Sequence, residues 1–338
     1  MPLQPMDKKA RKRLAILDVL KSTEQPMSSR VVAERLQESG QDVSERTVRL
    51  YLQQLQSEGL SSAGRHGHVL TERGQTEHGA SLVMERLGYM ATKVDQMTYR
   101  MSFDLELRSG TVAVNTALVT RDMLLPRLPL ILRVFEKRYA MGNLVALLQP
   151  GEQVGDTLIP PGMLGLCTVC SVTLNGVLLK HGVPTRSIFS GLLDMVDGQP
   201  VRFSELINYD GTSLDPLELF IRGGMTNYVG AVTSGNGRIG AGFREVPADS
   251  HDLVVSLADR ADRIGLGGFL RIGRPAQTLF NIPVRQGCCG AVVIGGLNPV
   301  AILEESGERV KAWALSGLLD FHRLFPYHEL EGRLLSIR

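Results

Sequence analysis

The strongest constraint on the fold of this chain is an internal duplication in its C-terminal part. Gly142 recurs as Gly265 and Asn175 as Asn298, a constant offset of 123 positions. Further positions match at the same offset without a gap: Leu147, Ile159, Pro160, Val169, Leu174 and Val177 against Leu270, Ile282, Pro283, Val292, Leu297 and Val300. A repeat at a fixed period indicates two copies of one structural unit, which normally pack about a pseudo-twofold axis.

Each copy shows the same predicted order of elements. A hairpin opens it, at 103–107 with 111–119 in the first copy and at 227–233 with 238–246 in the second. A helix follows at 121–139 and at 249–263, and Pro126 and Pro129 must kink the first helix or delay its start. Two apolar strands and a short helix complete each copy.

In both copies the central apolar strand runs into a predicted loop at a helix start, Ser171 to Gly176 and Ile294 to Pro299. Glycine lets a backbone approach a ligand, and helix N-termini favour anions. A small carboxylate is therefore predicted to bind at these residues: Ser171, Thr173, Asn175, Gly295, Gly296 and Asn298. Arg271 is predicted to pair with a carboxylate of the ligand, and Arg186, Arg244 and Arg285 are further candidates. Alternatively, Asn175 and Asn298 only cap their helices, and the glycines allow tight packing.

The N-terminal segment has the pattern of a winged helix. Apolar spacing predicts helices at 9–24 and 31–40, and a third helix that Ser44 caps and Gly59 ends. On this third helix three apolar residues face inward: Val48, Leu52 and Leu55. The other side carries Arg46, Thr47, Arg49 and Gln53. Arginine and glutamine match the hydrogen-bonding edges of guanine and adenine in the major groove.

A short basic hairpin follows the third helix. Its turn, Ala63 to Gly67, places Arg65 and His66 at the tip, where they are predicted to enter the minor groove or contact phosphates. An ordinary three-helix fold with a solvated polar face is the alternative. The ordered series of helices, hydroxyl cap and basic hairpin favours double-stranded DNA as a partner.

Together these patterns predict an α/β (α+β) chain of four segments. A winged helix-turn-helix DNA-binding domain occupies 8–80, and a linker occupies 81–98. A duplicated α/β sensor domain with mixed sheets follows, with its first repeat at 99–210 and its second at 211–338. A chain of 338 residues is long enough for separate hydrophobic cores.

Composition and motifs argue against several functional classes. The net charge is only +2, and no apolar run reaches the roughly 18 residues of a membrane span. The basic N-terminus lacks the apolar region of a signal peptide, which predicts a cytoplasmic location. Cys167 and Cys170 are predicted to point to opposite faces of a buried strand, and Cys288 adjoins Cys289, so a shared metal is not expected. Scattered histidines without a GxSxG or HExxH motif form no catalytic set, so neither an enzyme nor a cofactor is predicted.

Four segments and the overall layout carry a resemblance to a known family: Ser171–Lys180, Phe243–Pro247, Gly267–Gly273 and Ile294–Ala301. The chain resembles the NrpR nitrogen-regulatory transcriptional repressors from about Lys9 to Leu330. The resemblance implies a homodimer or higher oligomer that binds a palindromic operator, represses nitrogen-assimilation genes and is released by 2-oxoglutarate. Family members carry one or two sensor domains, and this chain has one.

A mechanism follows from this resemblance. Two sensor domains would dimerise and hold two recognition helices at half-sites about one helical turn apart. An effector that binds another spacing more tightly would then release the DNA. The residues alone leave two other classes open: an enzyme whose winged helix regulates only its own gene, and a winged-helix scaffold for a protein partner.

Overall fold

The computed structural model describes residues 8–23, 25–39, 41, 43–76, 78 and 88–337. The chain divides into two compact units, residues 1–87 and 88–338. Among the described helices, none is long and apolar enough to cross a membrane. The α/β class predicted from the sequence is confirmed, whereas the boundaries of the four predicted segments stay predictions.

In its described residues the first unit has three helices and a β-hairpin, and residues 72–76 after the hairpin are also helical. Its elements are α1 (Lys8–Lys21), α2 (Ser29–Glu38), α3 (Glu45–Ser57), β1 (Ser61–Gly64) and β2 (Gly67–Leu70). Ser28 and Ser44 cap α2 and α3, because their side chains accept hydrogen bonds from backbone N–H groups in the first helical turn. The inward faces of the helices form one apolar core, which includes Ile16, Leu36 and Leu52.

The second unit begins with α4 (Tyr89–Arg100) and holds the duplicated region. The first copy contributes β3 (Thr111–Val119), α5 (Arg121–Leu124), α6 (Leu128–Glu136), β4 (Leu144–Leu148), β5 (Gln153–Val154), β6 (Thr157–Leu158), β7 (Leu164–Val169), α7 (Val172–Lys180), β8 (Arg186–Val196) and β9 (Gln199–Asn208). The second contributes α8 (Pro216–Arg222), α9 (Tyr228–Thr233), β10 (Gly237–Pro247), α10 (His251–Arg263), β11 (Phe269–Ile272), β12 (Cys288–Ile294), α11 (Asn298–Glu305), β13 (Lys311–Asp320), β14 (Phe325–Pro326) and α12 (Leu330–Ser336).

The two copies exchange their last strands. One five-stranded sheet has the order β13-β3-β7-β4-β14, and the other has the order β11-β12-β10-β8-β9. Strands β8 and β9 of the first copy thus complete the sheet of the second, and β13 and β14 of the second complete the sheet of the first. The exchanged strands carry the matching sequences Ser190–Asp194 and Ser316–Asp320. Neither copy can complete its own sheet.

A shared core strengthens this exchange. One apolar cluster combines Leu166 and Leu193 of the first copy with Ile294 and Val300 of the second. Because burial of each such side chain stabilises the fold by about 1.5–3 kcal/mol, separation of the copies would expose a large part of the core.

The prediction of mixed sheets is wrong, because every strand pair in the described residues is antiparallel. The helical connection from β3 to β4 does make these two strands run in the same direction, as a crossover requires. However, β7 lies between them and pairs with both. The equivalent strand β12 separates β10 from β11 in the other sheet.

The two predicted opening hairpins are also wrong. Residues 228–233 form α9, whose first N–H groups donate to the side chain of Asn227 and to both carboxylate oxygens of Glu305. In the first copy, the side chain of Asp104 accepts hydrogen bonds from the backbone N–H groups of Glu106 and Leu107. These bonds stabilise a tight turn where a strand was predicted. One isolated bridge in each copy, Asp104 to Ser109 and Asn227 to Arg238, is what remains of the hairpin pairing.

The predicted helices that follow are confirmed with one change of form. Pro126 and Pro129 divide the first helix into α5, a 3-10 turn and α6, because proline lacks the N–H that a continuous helix needs. The second helix, predicted at 249–263, is α10 with a short 3-10 turn before it.

Gly296 lies where the two copies touch. A Cβ atom at this position would overlap the carbonyl oxygen of Val169 and the side-chain amide of Asn115, and it would lie 3.0 Å from Cα of Cys170. Two of these three neighbours are backbone atoms at the end of β7, which cannot move without shifting the sheet. Glycine at 296 therefore allows the backbone of the second copy to pack directly on the first.

The strand exchange predicts that the two copies fold only together. Separate chains of residues 88–210 and 211–338 should each be unfolded, since each lacks the strands that complete its sheet. An equimolar mixture should recover the circular dichroism spectrum and the slow amide exchange of the intact unit. A folded monomer formed by either fragment alone would contradict this prediction.

The packing at Gly296 predicts a loss of stability in Gly296→Ala. Overpacking against a rigid backbone costs about 1–3 kcal/mol, and thermal unfolding of the full chain should show a lower midpoint. Gly332→Ala is the matched control, because no atom lies within 4 Å of a Cβ built there and alanine favours its helix. Equal midpoints for the two variants would show that the contact at 296 is not tight.

Candidate functional site

The two strand-to-helix links singled out in the sequence meet at one cavity. In the first copy β7 ends at Val169 and α7 begins at Val172, and in the second β12 ends at Ile294 and α11 begins at Asn298. Both links are thus shorter than the predicted loops. Their residues line a narrow cavity together with polar side chains from other elements: Ser171, Gly295 and Gly296 from the links, and Asn115, Ser190, Tyr209 and Asp215 from elsewhere.

Directly behind the wall of this cavity lies a buried guanidinium. Arg244 on β10 is 1% exposed, the largest side chain buried to this degree among the described residues. It donates from Nε to Oδ1 of Asn175 (3.2 Å) and from a terminal nitrogen to Oγ of Ser171 (3.1 Å). The ring of Tyr209 faces it at 5.8 Å, and Gly242 leaves space for its other terminal nitrogen.

This guanidinium lacks a close counter-charge. Within the described part of the chain no carboxylate oxygen lies within 4.0 Å of it, and its hydrogen-bond acceptors are a hydroxyl, an amide and a backbone carbonyl. Buried charges are normally paired, because a low-dielectric interior does not replace the hydration that they lose. Arg244 therefore makes the cavity electrostatically favourable for an anion.

Asn175 and Asn298 have different roles, and neither is a helix cap. Asn175 was predicted to lie in a loop but is the fourth residue of α7. Its Nδ2 donates to Oγ of Ser187 at 3.0 Å, and its Oδ1 accepts a hydrogen bond from Arg244. Nδ2 of Asn298 donates to the carbonyl oxygens of Tyr139 (2.7 Å) and Gly240 (2.9 Å). Asn175 thus positions the guanidinium of Arg244, whereas Asn298 links the backbone at Tyr139 to the backbone at Gly240 through its two N–H donors.

Two further predicted effector residues lie outside the cavity. Thr173 is fully buried, and its hydroxyl donates to the carbonyl oxygen of Ala113 and accepts from the N–H of the same residue. Arg271 is exposed on the edge strand β11. The cavity therefore brings together Ser171, Gly295 and Gly296. Thr173 and Arg271 do not line it, and Asn298 lies beside Gly295 without being part of the lining.

The other two candidate arginines are already paired. Arg285 binds the buried carboxylate of Glu245, with 2.6 Å between Nε and Oε2. Arg186 lies 3.5 Å from a carboxylate oxygen of Asp210, and both side chains are exposed. Among the four arginines considered from the sequence, Arg244 is the one with a buried guanidinium and neutral acceptors.

Asp215 and Tyr209 are site residues that the sequence interpretation missed. Asp215 caps α8, because its Oδ1 accepts hydrogen bonds from the N–H groups of Leu217 (2.9 Å) and Glu218 (3.1 Å). Burial raises its pKa, and Lys93 and Arg244 act against that rise. Burial likewise raises the pKa of Tyr209, whose hydroxyl lies 2.7 Å from that of Ser190. The pair Asp215-Pro216 is a recognisable helix start, but only the tertiary fold places it at the cavity.

The cysteines near the cavity behave as buried thiols. Burial raises the pKa of Cys167 and of Cys170 to about 11, so both are protonated at neutral pH. Cys170 lies one residue beyond the end of β7, so the strand argument used for this pair does not hold. In the described ranges no three His, Cys, Asp or Glu side chains converge as metal ligands would.

The predicted DNA-contacting elements form in the first unit. Val48, Leu52 and Leu55 are buried, whereas Arg46 and Gln53 are exposed on the opposite side of α3. Two predicted contact residues on this helix already have local partners. Arg49 pairs with Glu45 one turn earlier (2.7 Å), and the Thr47 hydroxyl lies 2.9 Å from that of Ser44. An exposed pair of this kind contributes little to stability, so Arg49 can exchange it for another acceptor.

The hairpin has the predicted form, with Arg65 and His66 exposed in the turn between β1 and β2. Leu50 was not predicted as part of the polar face of α3. It is 56% exposed and lies between Arg46 and Gln53 on the helix surface, at the helical spacing of one turn from each. An apolar side chain at such a position can contact the methyl group of thymine.

Comparisons with known proteins agree with this arrangement. A family model of NrpR regulatory domains NRD1 and 2 matches residues 87–325, and a model of the ribonuclease R winged-helix domain matches residues 14–78. A crystal structure of a nitrogen repressor-like protein from Methanococcus jannaschii is 25% identical with a TM-score of 0.59, and the match covers 70% of this chain and 97% of that one.

Curated relatives extend the similarity to most of the chain. The global nitrogen regulator NrpRI of Methanosarcina mazei is 31% identical over 315 residues, 93% of this chain and 97% of the relative. The global nitrogen regulators NrpR of Methanococcus maripaludis and Methanocaldococcus jannaschii are 28% and 27% identical over 90% and 95% of this chain. The chain spans 53% and 55% of the length of these last two. It therefore belongs to the NrpR family, whose named members are nitrogen regulators and not enzymes.

Proposed function

We propose that this protein is a transcriptional repressor that binds a DNA operator as a homodimer and releases it when 2-oxoglutarate enters the cavity beside Arg244. The observation that carries the effector part is the buried guanidinium without a carboxylate partner. The observation that supports DNA binding is the exposed polar face of α3 followed by the basic hairpin. Both belong to a chain whose relatives are named nitrogen regulators.

The chemistry of the cavity suits a small dicarboxylate. Charge-assisted hydrogen bonds to a guanidinium are about twice as strong as neutral ones, so Arg244 would bind one carboxylate. The hydroxyl of Ser171, which accepts a hydrogen bond from Arg244, can donate its own hydrogen to the oxo oxygen. The helices α7 and α11 begin at the two links that line the cavity, and the dipole at a helix start favours negative charge.

Ligand entry requires the cavity to open. In the structure its free space holds roughly one water molecule, which is too little for a five-carbon acid. A ligand that binds only an open form shifts the population toward that form. We infer that the open and closed forms differ in DNA affinity, and a coupling of about 1–3 kcal/mol would change that affinity some 5- to 150-fold.

The homodimer sets the geometry on DNA in this proposal. Two copies of α3 would enter successive major grooves of a palindromic operator, with half-sites about one helical turn apart. Arg46, Thr47, Arg49 and Gln53 would contact base edges or phosphates, and Arg65 and His66 of the hairpin would contact the minor groove or the backbone. In the open form the spacing would no longer match the half-sites.

The polar face of α3 predicts the effect of Arg46→Ala and Arg49→Ala. Each substitution should weaken operator binding by about 1–3 kcal/mol, because an arginine bidentate to guanine contributes that much discrimination. Affinity would be measured by fluorescence anisotropy with an operator selected from genomic fragments at fixed salt concentration.

Arg202→Ala serves as the matched control, since Arg202 is exposed and paired with Asp194 in the second unit. It should bind the operator like the unmodified protein. If Arg46→Ala and Arg49→Ala also retained full affinity, α3 would not be the recognition helix. If no genomic fragment were selected at all, the scaffold for a protein partner would become the better explanation.

The cavity predicts that Arg244→Met removes the response to 2-oxoglutarate. Methionine fills the apolar part of the space without a charge, so the fold should persist while a charge-assisted hydrogen bond worth about 1.5–3 kcal/mol is lost. Calorimetry should show 2-oxoglutarate binding weakened roughly 10- to 150-fold, with operator affinity in the absence of ligand unchanged.

Arg271→Ala distinguishes this site from the one expected from sequence. Because Arg271 is exposed on an edge strand away from the cavity, this variant should still release the operator at the normal 2-oxoglutarate concentration. Loss of release in Arg271→Ala together with a normal response in Arg244→Met would move the effector site to the β11 edge.

A further inference from the structure

Asp215 is the one carboxylate that lines the cavity among the described residues. Both backbone hydrogen bonds of the helix cap go to its Oδ1, whereas Oδ2 has no hydrogen-bond partner in the described part of the chain. One oxygen of this partly buried carboxylate thus accepts the cap hydrogen bonds, and the other is available to a ligand that enters the cavity.

Two cations act on this carboxylate from different elements. Arg244 lies on β10, and Lys93 lies on α4, where its Nζ donates to the carbonyl oxygen of the cavity residue Ala314 at 3.3 Å. Both lower the pKa of Asp215 against the effect of burial. In the ranges that the structure describes, neither cation has a carboxylate oxygen within 4.0 Å. Asp215 is therefore the longer-range counter-charge that the two cations share.

Of the titratable groups near the cavity, Asp215 is the one whose protonation an incoming anion should change most. Burial raises the pKa of Cys170 to about 11 and also raises that of Tyr209, so both are neutral at physiological pH. Glu218, on the helix that Asp215 caps, is partly buried with a pKa raised by burial, but its carboxylate accepts a hydrogen bond from the N–H of Ala314. It does not line the cavity.

We propose that Asp215 links ligand binding to proton uptake: in the free protein its carboxylate balances Arg244 and Lys93, and an anionic ligand that takes over this role binds together with one proton on Asp215. The proton comes from solvent and binds Oδ2, so that the carboxylate becomes a neutral acid. Oδ1 still accepts the cap hydrogen bonds, and the new O–H can donate to a carboxylate of the ligand. This inference rests on the proposed binding of 2-oxoglutarate in the cavity.

The sign of the effect follows from the charges. An anion close to Asp215 raises its pKa further, because two negative charges then share a poorly solvated space. Ligand affinity therefore rises as the pH falls from the pKa of the complex to the lower pKa of the free protein, and it is constant above and below this window. One linked proton changes the affinity by up to about tenfold per pH unit within the window. The cavity is thus a better receptor for 2-oxoglutarate at the acidic end of this window.

Asp215→Asn tests the proposal without removing the cap, since asparagine caps helices as well as aspartate does. Calorimetric titration of the full-length protein with 2-oxoglutarate, in two buffers of different ionisation enthalpy, counts the protons taken up. We expect about one proton for the unmodified protein and none for Asp215→Asn. At about pH 8 the variant should bind more tightly, and its affinity should be nearly constant down to about pH 5.5.

Glu218→Gln is the matched control, because it neutralises the neighbouring carboxylate on the same helix and should keep the proton uptake. Amide exchange in α8 checks that each variant is folded. The inference is overturned if Asp215→Asn takes up as many protons on binding as the unmodified protein, or if Glu218→Gln loses the proton uptake instead. Either result leaves the proposed binding of 2-oxoglutarate intact. Absence of 2-oxoglutarate binding by the unmodified protein at every pH overturns the proposed function and the inference with it.

Discussion

The exchange of strands between the two sequence copies is the constraint on which the second unit, residues 88–338, depends. Because β8 and β9 complete the sheet of the other copy, and β13 and β14 do the same in return, the two strand-to-helix links are held against each other. Gly296 shows how closely they meet, since a side chain there would overlap the end of β7. The cavity is thus produced by the topology and does not require a separate binding loop.

Within this frame the electrostatics of one arginine distinguish the cavity from ordinary packing. Arg244 is held by Ser171 and Asn175, two residues of the first copy, although it lies on a strand of the second. Neutral acceptors orient a guanidinium but do not cancel its charge. The nearby, partly buried Asp215 is the carboxylate that lines the cavity, and Arg244 and the lysine of α4 both lower its pKa against the effect of burial.

The winged helix was predictable from sequence to within a few residues, because apolar spacing and serine caps are local signals. Ser44 caps α3 as predicted, and Val48, Leu52 and Leu55 face the core. In contrast, α9 depends on Glu305, a residue far along the chain, to accept its first N–H groups. The same limit applies at the site: repeat matching identified Ser171, Gly295 and Gly296, but Asp215 reaches the cavity only through tertiary packing, and nothing local separates Arg244 from Arg271.

The divergence of the two copies has a consequence for stoichiometry. At the repeat offset, Ser171 corresponds to Ile294, which cannot hydrogen-bond a guanidinium. Asn175 corresponds to Asn298, whose Nδ2 donates to two backbone carbonyls and whose buried Oδ1 has no hydrogen-bond partner among the described residues. The pseudo-symmetric partner of the anion site is therefore filled with an aliphatic side chain and a structural contact. Under the proposed function each chain would therefore bind one effector molecule despite its doubled architecture, and a dimer would bind two.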